Sequence, residues 1–284
     1  AAAATGVRHL HFNSSYRVFF GPENPQRIAF EELENTYVKN DTLLIVIAPA
    51  DHNVFSNQSL AIIEDVTRRA WQIPYSNRVD SVTNFQHTEA DGDDLIVRPL
   101  VNNAEQLSPA ELARVRRIAL AEPLLRDSLV RDDAVASGVF VNVQLPGKSE
   151  TAENAEIIRA ARALAADIEQ TYPGTQIYLT GMVMMNNAFP EATSADLKTL
   201  IPLSAVAMVA LLSLFVGGVA GTLGAVLVFS FAIIGAIGLS GYFGYPVTPV
   251  SASTPTIILT VAIANCVHIL ASYLFGLRHE FDCD

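Results

Sequence analysis

Three polar side chains stand at helical spacing within a long apolar stretch near the C-terminus. Asn265, His268 and Ser272 occupy positions i, i+3 and i+7, which fall on one face of an α-helix. An imidazole ordinarily titrates at about pH 6.5, so it can take up and release protons near neutral pH. The spacing therefore predicts that His268 takes part in proton coupling and that Asn265 orients it through a hydrogen bond. The alternative is a purely structural pair of interhelical hydrogen-bond partners, worth about 0.6–2 kcal/mol.

These residues belong to a run of 79 residues, Thr199 to Leu277, that contains no Asp, Glu, Lys or Arg. A helix needs about 20 apolar residues to cross the hydrocarbon core of a bilayer, so the run has room for three spans. Segments rich in glycine or proline interrupt it at 216–221 and at 241–249. The pattern predicts an integral membrane protein with spans at about 200–217, 220–241 and 254–277. Polar groups within such spans usually face a bundle interior or a water-filled path.

The first 198 residues have the composition of a water-soluble domain. They hold 17 of the 18 Lys and Arg residues and 26 of the 29 Asp and Glu residues, which leaves a net charge of −9. This length supports one or two domains with their own cores. The acidic balance argues against nucleic-acid binding, because no basic stripe is available to neutralise phosphates. Both cysteines, Cys266 and Cys283, lie outside this part, which is therefore not a disulfide scaffold.

The last positive charge predicts the orientation in the membrane. Arg278 is the only Lys or Arg after Lys198 and follows the third predicted span, so the positive-inside rule assigns residues 279–284 to the cytoplasm as a tail or a truncation point. Three crossings then put residues 1–198 on the opposite side, in the periplasm of a bacterium. The first residues do not resemble a signal peptide. Because an exported domain needs a segment to start its translocation, we expect a helix upstream of residue 1.

Strand and helix patterns alternate along the first 198 residues. Short β-branched runs predict four strands, at 43–48, 78–83, 138–145 and 176–180. Apolar residues at helical spacing, or a capping motif at Ser108, predict helices at 56–71, from 108 onward, at 153–170 and at 186–198. The alternation predicts an α+β sandwich of the ferredoxin-like kind, whose last helix leads into the first span.

An apolar cluster directly precedes the first predicted span. It consists of Met182, Met184, Met185 and Phe189. Methionine suits surfaces that repack around varied partners, so the cluster is a candidate lining for a substrate path. Packing within a core accounts for the cluster at least as well.

Two further polar groupings favour a structural role. The segment 87–94 holds one histidine and four carboxylates, but its spacing does not match an EF-hand loop, so we predict a solvated acidic turn. His9 and His11 share one face of a possible strand without a third metal ligand. The sequence contains no P-loop, nucleophile elbow or credible Ser-His-Asp set. We therefore expect no enzyme activity, no cofactor and no metal.

Motifs spread over nearly the whole chain carry a family resemblance. They are Phe19-Phe20, Glu23-Asn-Pro25, Asn35-Thr-Tyr37, Asn40-Asp41, Arg78–Thr88, Gly92–Leu95, Pro249–Pro255 and Ala264–Ile269. In this order they resemble the resistance-nodulation-division (RND) superfamily, and within it the MMPL-type exporters. The resemblance implies that residues 1–198 are the first periplasmic porter domain. It also implies that residues 199–278 hold the second to fourth spans of a longer transporter, of which this chain would be part of the first half.

One position departs from the family pattern. The resemblance implies an Asp where this chain has Asn265, and a Ser where it has Cys266. In related pumps the intramembrane Asp carries the proton that drives export, and an Asn side chain cannot ionise. Three interpretations remain open: proton drive from the second half of the transporter, a relay through His268, or altered coupling.

The resemblance implies an exporter of amphiphilic or lipidic substrates that is driven by the proton-motive force in a bacterial inner membrane. The implied partners are membrane lipids, the cargo and the remaining half of the transporter, with a second copy or a periplasmic adaptor as further candidates. A membrane-anchored periplasmic sensor or accessory subunit is the alternative, since it would not need the carboxylate that Asn265 replaces. Proton-dependent movement of cargo separates the two functions.

Overall fold

The computed structural model describes residues 5–10, 13, 16–37, 41–216, 219–248 and 251–281. The chain divides into two compact units, Gly21–Asn187 and Ala1–Phe20 with Ala188–Asp284. In chain order its helices and strands are α1 (Pro25–Thr36), β1 (Asp41–Ala48), α2 (Asn57–Ala70), β2 (Ser76–Asp80), β3 (Gln86–Asp91), β4 (Asp94–Pro99), α3 (Pro109–Ala121), β5 (Ser137–Val143), α4 (Glu150–Thr171), β6 (Gln176–Thr180), α5 (Met182–Lys198), α6 (Leu200–Val216), α7 (Val219–Tyr242) and α8 (Thr254–Phe281). We call the first unit the sheet unit and the second the helical unit.

The main sheet has the strand order β2-β5-β1-β6, and all of its neighbouring strands are antiparallel. Helix α2 connects β1 to β2, and helix α4 connects β5 to β6. Along β1, Leu43, Ile45 and Ile47 are buried while the alternate residues are partly exposed, as expected for a strand with one covered face. The sheet unit is therefore of the α+β class, as the sequence predicts.

Helices α2 and α4 bury their apolar stripes in the same core as this sheet. Leu60 and Ile63 of α2 and Ile157 and Ile168 of α4 belong to one hydrophobic cluster with the inward residues of β1. The side chain of Ser56 caps α2, which stabilises a helix start by satisfying a free N–H. The helices predicted at 56–71 and 153–170 are confirmed, although α4 begins earlier than predicted.

The strand predicted at 78–83 is correct only in its first half, because a turn follows β2. The strand ends at Asp80. The Asn84 carboxamide accepts the backbone N–H of Ser81 at 2.7 Å and donates to the carbonyl of Val79 at 2.7 Å. Side chains of this type compete with sheet hydrogen bonds for the backbone. Part of the family-like motif therefore builds the corner at which the chain leaves the main sheet.

The acidic segment at 87–94 lies in a β-hairpin rather than in a loop, so the predicted acidic turn is correct only at the tip. Strands β3 and β4 pair in antiparallel fashion apart from the main sheet. Glu89 accepts hydrogen bonds from Arg114 of α3 and, at 2.9 Å, from Arg98. The hydrogen bond from Arg114 lowers the pKa of Glu89, and the bond from Arg98 lowers it further. Burial acts in the opposite direction but is outweighed. Among the described residues, no group of three or more His, Cys, Asp and Glu side chains could hold a metal ion.

Glu153 anchors the segment before α4. Its carboxylate accepts the backbone N–H groups of Gly147, Lys148 and Ser149 at 3.1, 2.9 and 3.1 Å. Burial alone raises the pKa of this carboxyl group, but the three donors outweigh burial and hold the pKa of Glu153 below its ordinary value of 4.5. The ionised group therefore stabilises the fold above the unfolded-state pKa, and this contribution is lost as the pH falls through the folded-state pKa.

We expect Glu153→Gln to lower the free energy of unfolding of the sheet unit by about 1 kcal/mol at pH 7, because a neutral amide accepts these bonds less strongly. The difference from the wild type should shrink as the pH falls below 4.5. Urea unfolding followed by the fluorescence of Trp71, the single tryptophan of the sequence, measures it. Glu105→Gln is the matched control, because exposed Glu105 loses the same charge outside this anchor. A difference that is independent of pH would contradict the assignment.

Strand β6 forms one edge of the main sheet, where β1 is its one neighbour among the described strands. The backbone N–H of Ile177 donates to Oε1 of Glu169 in α4 at 2.9 Å. Tyr178 is 56% exposed, and its hydroxyl donates to Gln176 in the same strand at 2.7 Å. An amide of the edge strand is thus bonded to a side chain of its own unit.

Among the described residues, three helical stretches are long and apolar enough to cross a membrane, which is the number predicted, although the first begins well before residue 200. They are Met182–Leu214, Ala220–Tyr242 and Thr254–Gly276, with mean hydropathies of 2.0, 2.3 and 2.0. The first stretch joins α5 and α6, which Thr199 separates. Helices α6, α7 and α8 pack against one another in pairs. The glycine turn predicted at 216–221 includes residues 217 and 218, which lie outside the described residues.

A short N-terminal segment of the helical unit packs against the end of α7. A Cβ atom added at Gly241 would lie 2.1 Å from the carbonyl oxygen of Gly6, so glycine is needed for this close approach. The imidazole of His9 lies 5.8 Å from the ring of Tyr242. His9 belongs to a 3₁₀-helix rather than to the predicted strand, and His11 lies outside the described residues.

Candidate functional site

Helix α8 carries all three residues predicted for proton coupling. It has 28 residues, which corresponds to about 42 Å at 1.5 Å per residue and exceeds the roughly 30 Å of the hydrocarbon core. Pro255 occupies the first turn. Backbone N–H groups in the first turn have no acceptor within the helix, so the missing N–H of proline costs no hydrogen bond there. Asn265 is the central residue of the apolar stretch Thr254–Gly276. It therefore lies near the middle of the span.

Small and apolar side chains fill the seam at which the three spans meet. Cys266 is 8% exposed and packs with Leu212 of α6 and Ala225 of α7, while Val267 borders them. Cys266 thus marks the side of α8 that faces the other two spans. Asn265 precedes it by one residue and is rotated about 100° away from this seam.

Asn265 lines an apolar groove between α7 and α8. The groove has a volume of about 690 Å³. Helix α7 contributes small residues to it, among them Ala220, Gly221 and Gly224, and α8 contributes larger aliphatic side chains such as Ile257 and Val261. Among the described lining residues, Asn265 supplies the one carboxamide. The groove therefore presents a carboxamide at mid-span, beside the weakly hydrogen-bonding thiol of Cys266.

His268 and Ser272 are exposed on α8 like Asn265, but neither lines the groove. At 100° per residue they are rotated about 60° and 20° from Asn265. Within the part of the chain that the structure describes, no hydrogen bond joins these side chains, so the predicted bond between Asn265 and His268 is not formed. All three residues point away from the packed seam, onto a surface that another helix could cover.

The residues of the predicted substrate path have different environments. Met184 packs against the core of the sheet unit, whereas Met185 is 41% exposed and Met182 is partly buried. Phe189 belongs to the helical unit, where its ring lies 5.8 Å from that of Phe19. The four side chains are thus divided between two units, and Met184 has a packing role.

A group of hydroxyl side chains that the sequence did not reveal lies at one end of the helical unit. Thr193, Ser240, Ser251 and Thr254 line a second cavity, of about 230 Å³. They come from α5, from the end of α7 and from the start of α8 with the turn before it. Serine and threonine residues near the ends of neighbouring spans are common, so their presence in a sequence does not indicate a shared cavity. Only the packing of these elements brings the four together.

Comparison with known proteins agrees with the architecture of an apolar helical unit joined to an α+β unit. The model of the MMPL family matches residues 33–267, which is well over half of the chain. No curated protein matches the chain. The matched region includes the main sheet, the first two spans and the first part of the third span with Asn265, and it ends one residue before His268. The chain belongs to the MMPL family of RND-type membrane transporters.

Proposed function

We propose that this chain is part of an exporter that moves amphiphilic or lipidic substrates and is driven by the proton-motive force. Membership of the MMPL family over residues 33–267 is the observation that carries the proposal. The exporter acts in the bacterial inner membrane, and residues 1–198 form its periplasmic porter domain. The single cation that follows the third span, Arg278, supports this orientation.

The topology of the sheet unit supports a ferredoxin-like porter domain. Two β-α-β segments, β1-α2-β2 and β5-α4-β6, interleave in one antiparallel sheet with the order β2-β5-β1-β6. The β3–β4 hairpin and α3 are inserted between the two segments. The porter domain ends at Lys198, and residues 199–278 form the membrane part.

Proton coupling involves the exposed polar face of α8. His268 takes up and releases the proton, and Asn265 and Ser272 supply hydrogen bonds on the same face. Their exposure supports this role, because helices from the remaining half of the transporter can then cover them. A polar group facing lipid is costly, so a covering helix with polar partners lowers the free energy of the assembly.

The cargo reaches the porter domain along the helix that enters the membrane. Met182, Met185 and Phe189 of α5 border this path, and the exposure of Met185 supports its part in it. Met184 contributes by packing. The chemical class of the cargo is amphiphilic or lipidic, because flexible apolar side chains accommodate chains of variable shape.

A sensor or accessory subunit that moves no cargo is the second candidate. It is favoured by Asn265, which stands at mid-span and cannot ionise. In this function the helical unit anchors the sheet unit, and the sheet unit binds a periplasmic partner.

Reconstitution of the intact protein in liposomes tests the two functions. A fluorescent monoacylglycerol serves as the amphiphile, and albumin outside the liposomes collects what is released. We expect a pH gradient to accelerate its transfer to albumin and a protonophore to remove the acceleration. Liposomes without protein control for spontaneous transfer. Equal transfer with and without the gradient would favour the sensor.

A further inference from the structure

The hydroxyl-lined cavity of the helical unit lies at the membrane side on which α7 ends and α8 begins. Ala236 and Ile237 of α7 form an apolar wall, and Thr193, Ser240, Ser251 and Thr254 supply hydroxyl groups. The connection between the two helices closes it further. The cavity is thus built from segments that are distant in the sequence.

Exposed aromatic residues at the cavity, of which Tyr245 lines it, indicate its depth in the membrane. Tyr242, Phe243 and Tyr245 are 52%, 72% and 65% exposed. Tyrosine is enriched where a membrane span meets the polar interface. The cavity therefore lies at the border between the hydrocarbon core and the head groups, on the side that we assign to the periplasm.

The cavity is mostly apolar, and the polar groups that line it are uncharged. No Asp, Glu, Lys, Arg or His lines it among the described residues. The hydroxyl of Ser240 already donates to the carbonyl of Ile237 at 2.8 Å, and that of Ser251 accepts the N–H of Thr248 at 2.8 Å. The hydroxyls of Thr193 and Thr254 have no hydrogen-bond partner in the described part of the chain. Two hydroxyl groups at the rim of an apolar cavity are therefore available to a ligand.

The size of the cavity limits what can enter it. Its volume of about 230 Å³ is below the roughly 300–1,000 Å³ of pockets that enclose a whole small molecule. A water molecule in the liquid has a share of about 30 Å³, so the cavity holds a fragment of fewer than about ten non-hydrogen atoms. Such a fragment corresponds to the polar head of an amphiphile whose chain remains in the bilayer.

We propose that this cavity binds the uncharged, hydroxyl- or ester-bearing head of the amphiphile that the protein exports. The inference rests on the proposed function and extends it by assigning a head-group class and a site. Thr193 and Thr254 hydrogen-bond the head, and Ala236 and Ile237 contact the first methylenes of the chain. A charged head is disfavoured, because no opposite charge lines the cavity among the described residues and burying an unpaired charge is costly.

Photolabelling of the intact protein in lipid nanodiscs tests this site. The probe is a monoacylglycerol with a diazirine near its ester, and a fatty acid with the diazirine at the same place is the anionic comparison. We expect the monoacylglycerol to label peptides around 236–240 and 251–255, and the fatty acid to label them weakly. Equal labelling by both probes would overturn the assignment of an uncharged head.

Variants of the cavity complete the test. Thr193→Val and Thr254→Val keep the side-chain shape and should each lower labelling about two- to tenfold, the effect of one lost hydrogen bond. Ala236→Leu fills the cavity and should lower it further. Thr260→Val is the matched control, because that hydroxyl bonds within α8, to the carbonyl of Thr256 at 2.9 Å. If all three cavity variants are labelled as strongly as the wild type, the site is refuted.

The labelling is independent of transport, so failure of the two proposals can be told apart. Labelling needs no pH gradient, whereas export does. Labelling at the cavity without gradient-driven transfer would leave the site intact and contradict the exporter. Gradient-driven transfer that the cavity variants do not slow would contradict the site as the binding place of the cargo.

Discussion

Replacing His268 with alanine is expected to reduce gradient-driven export by the intact protein to the rate measured without a gradient, while membrane insertion stays normal. The side chain is exposed on α8, outside the packed seam of the three spans. Its removal therefore leaves no cavity in that seam and should not disturb folding. What is lost is the imidazole that we propose carries the proton. The liposome transfer assay measures export, and protease protection measures insertion.

A second substitution at the same position separates proton transfer from hydrogen bonding. His268→Gln keeps a donor and an acceptor but cannot be protonated in the accessible pH range. If His268 carries the proton, glutamine should be as inactive as alanine. If it only bonds a neighbouring helix, glutamine should restore most of the export. Ile269→Ala is the control, because Ile269 is 69% exposed on the same helix and is not titratable.

Asn265→Asp is a companion to these variants. If this half of the transporter has Asn265 in place of the carboxylate but is otherwise unchanged, the variant should fold, and the pH optimum of export should shift. A misfolded variant would instead indicate a structural Asn, whose carboxamide is required in the groove between α7 and α8. Heating the detergent-solubilised protein and monitoring its elution as a monodisperse species distinguishes the two outcomes.

Gly181→Ala is expected to destabilise the sheet unit by about 3 kcal/mol or more. Gly181 joins β6 to α5 with a φ of +110°, where a residue with a Cβ is strained. The added Cβ would also lie 2.5 Å from the carbonyl oxygen of Thr42 in β1. Backbone atoms of a central strand cannot move aside cheaply, so both costs add. Urea unfolding monitored by Trp71 fluorescence measures the loss.

Gly92→Ala provides the matched comparison for this position. Gly92 also has a positive φ, +64°, but nothing lies within 4 Å of a Cβ added there. The left-handed conformation alone costs about 1 kcal/mol. If Gly181→Ala and Gly92→Ala destabilise the protein equally, the contact with Thr42 has no energetic weight and the larger effect predicted here is wrong.

Much of the fold was predictable because burial leaves patterns of apolar residues in a sequence. Strand β1 shows a continuous apolar, β-branched run and α2 shows an apolar repeat at helical spacing, and both elements were found where predicted. The three spans were also predictable, since a charged side chain is so costly in a bilayer that a run of 79 uncharged residues indicates the membrane.

The β3–β4 hairpin was not predictable in this way. All residues of β4 are exposed, so no buried face imposes alternation on its sequence. Its acidic residues resemble those of a solvated loop. Glu89 pairs with Arg98 within the hairpin and with Arg114 of α3 outside it, and the pair with Arg114, which is distant in the sequence, has no local signature.

The candidate site was predictable only in part. The spacing of Asn265, His268 and Ser272 correctly indicates a common side of α8, because helix geometry alone determines it. Which of them reaches the groove depends on the packing angle of α7, and only Asn265 lines it. The residues that line the second cavity together with Thr193 and Thr254 likewise depend on three-dimensional packing.

The bond between Glu169 and Ile177 has a consequence for assembly. The outer edge of a sheet presents unpaired amides and carbonyls, onto which a strand of another molecule can add and extend the sheet. At β6 an incoming strand would first have to displace the Glu169 carboxylate from the Ile177 amide. It would also bring its own polar backbone next to a negative charge. The carboxylate thus opposes strand addition at β6, and complexes of this protein should not form by pairing of this sheet edge with a strand of another molecule.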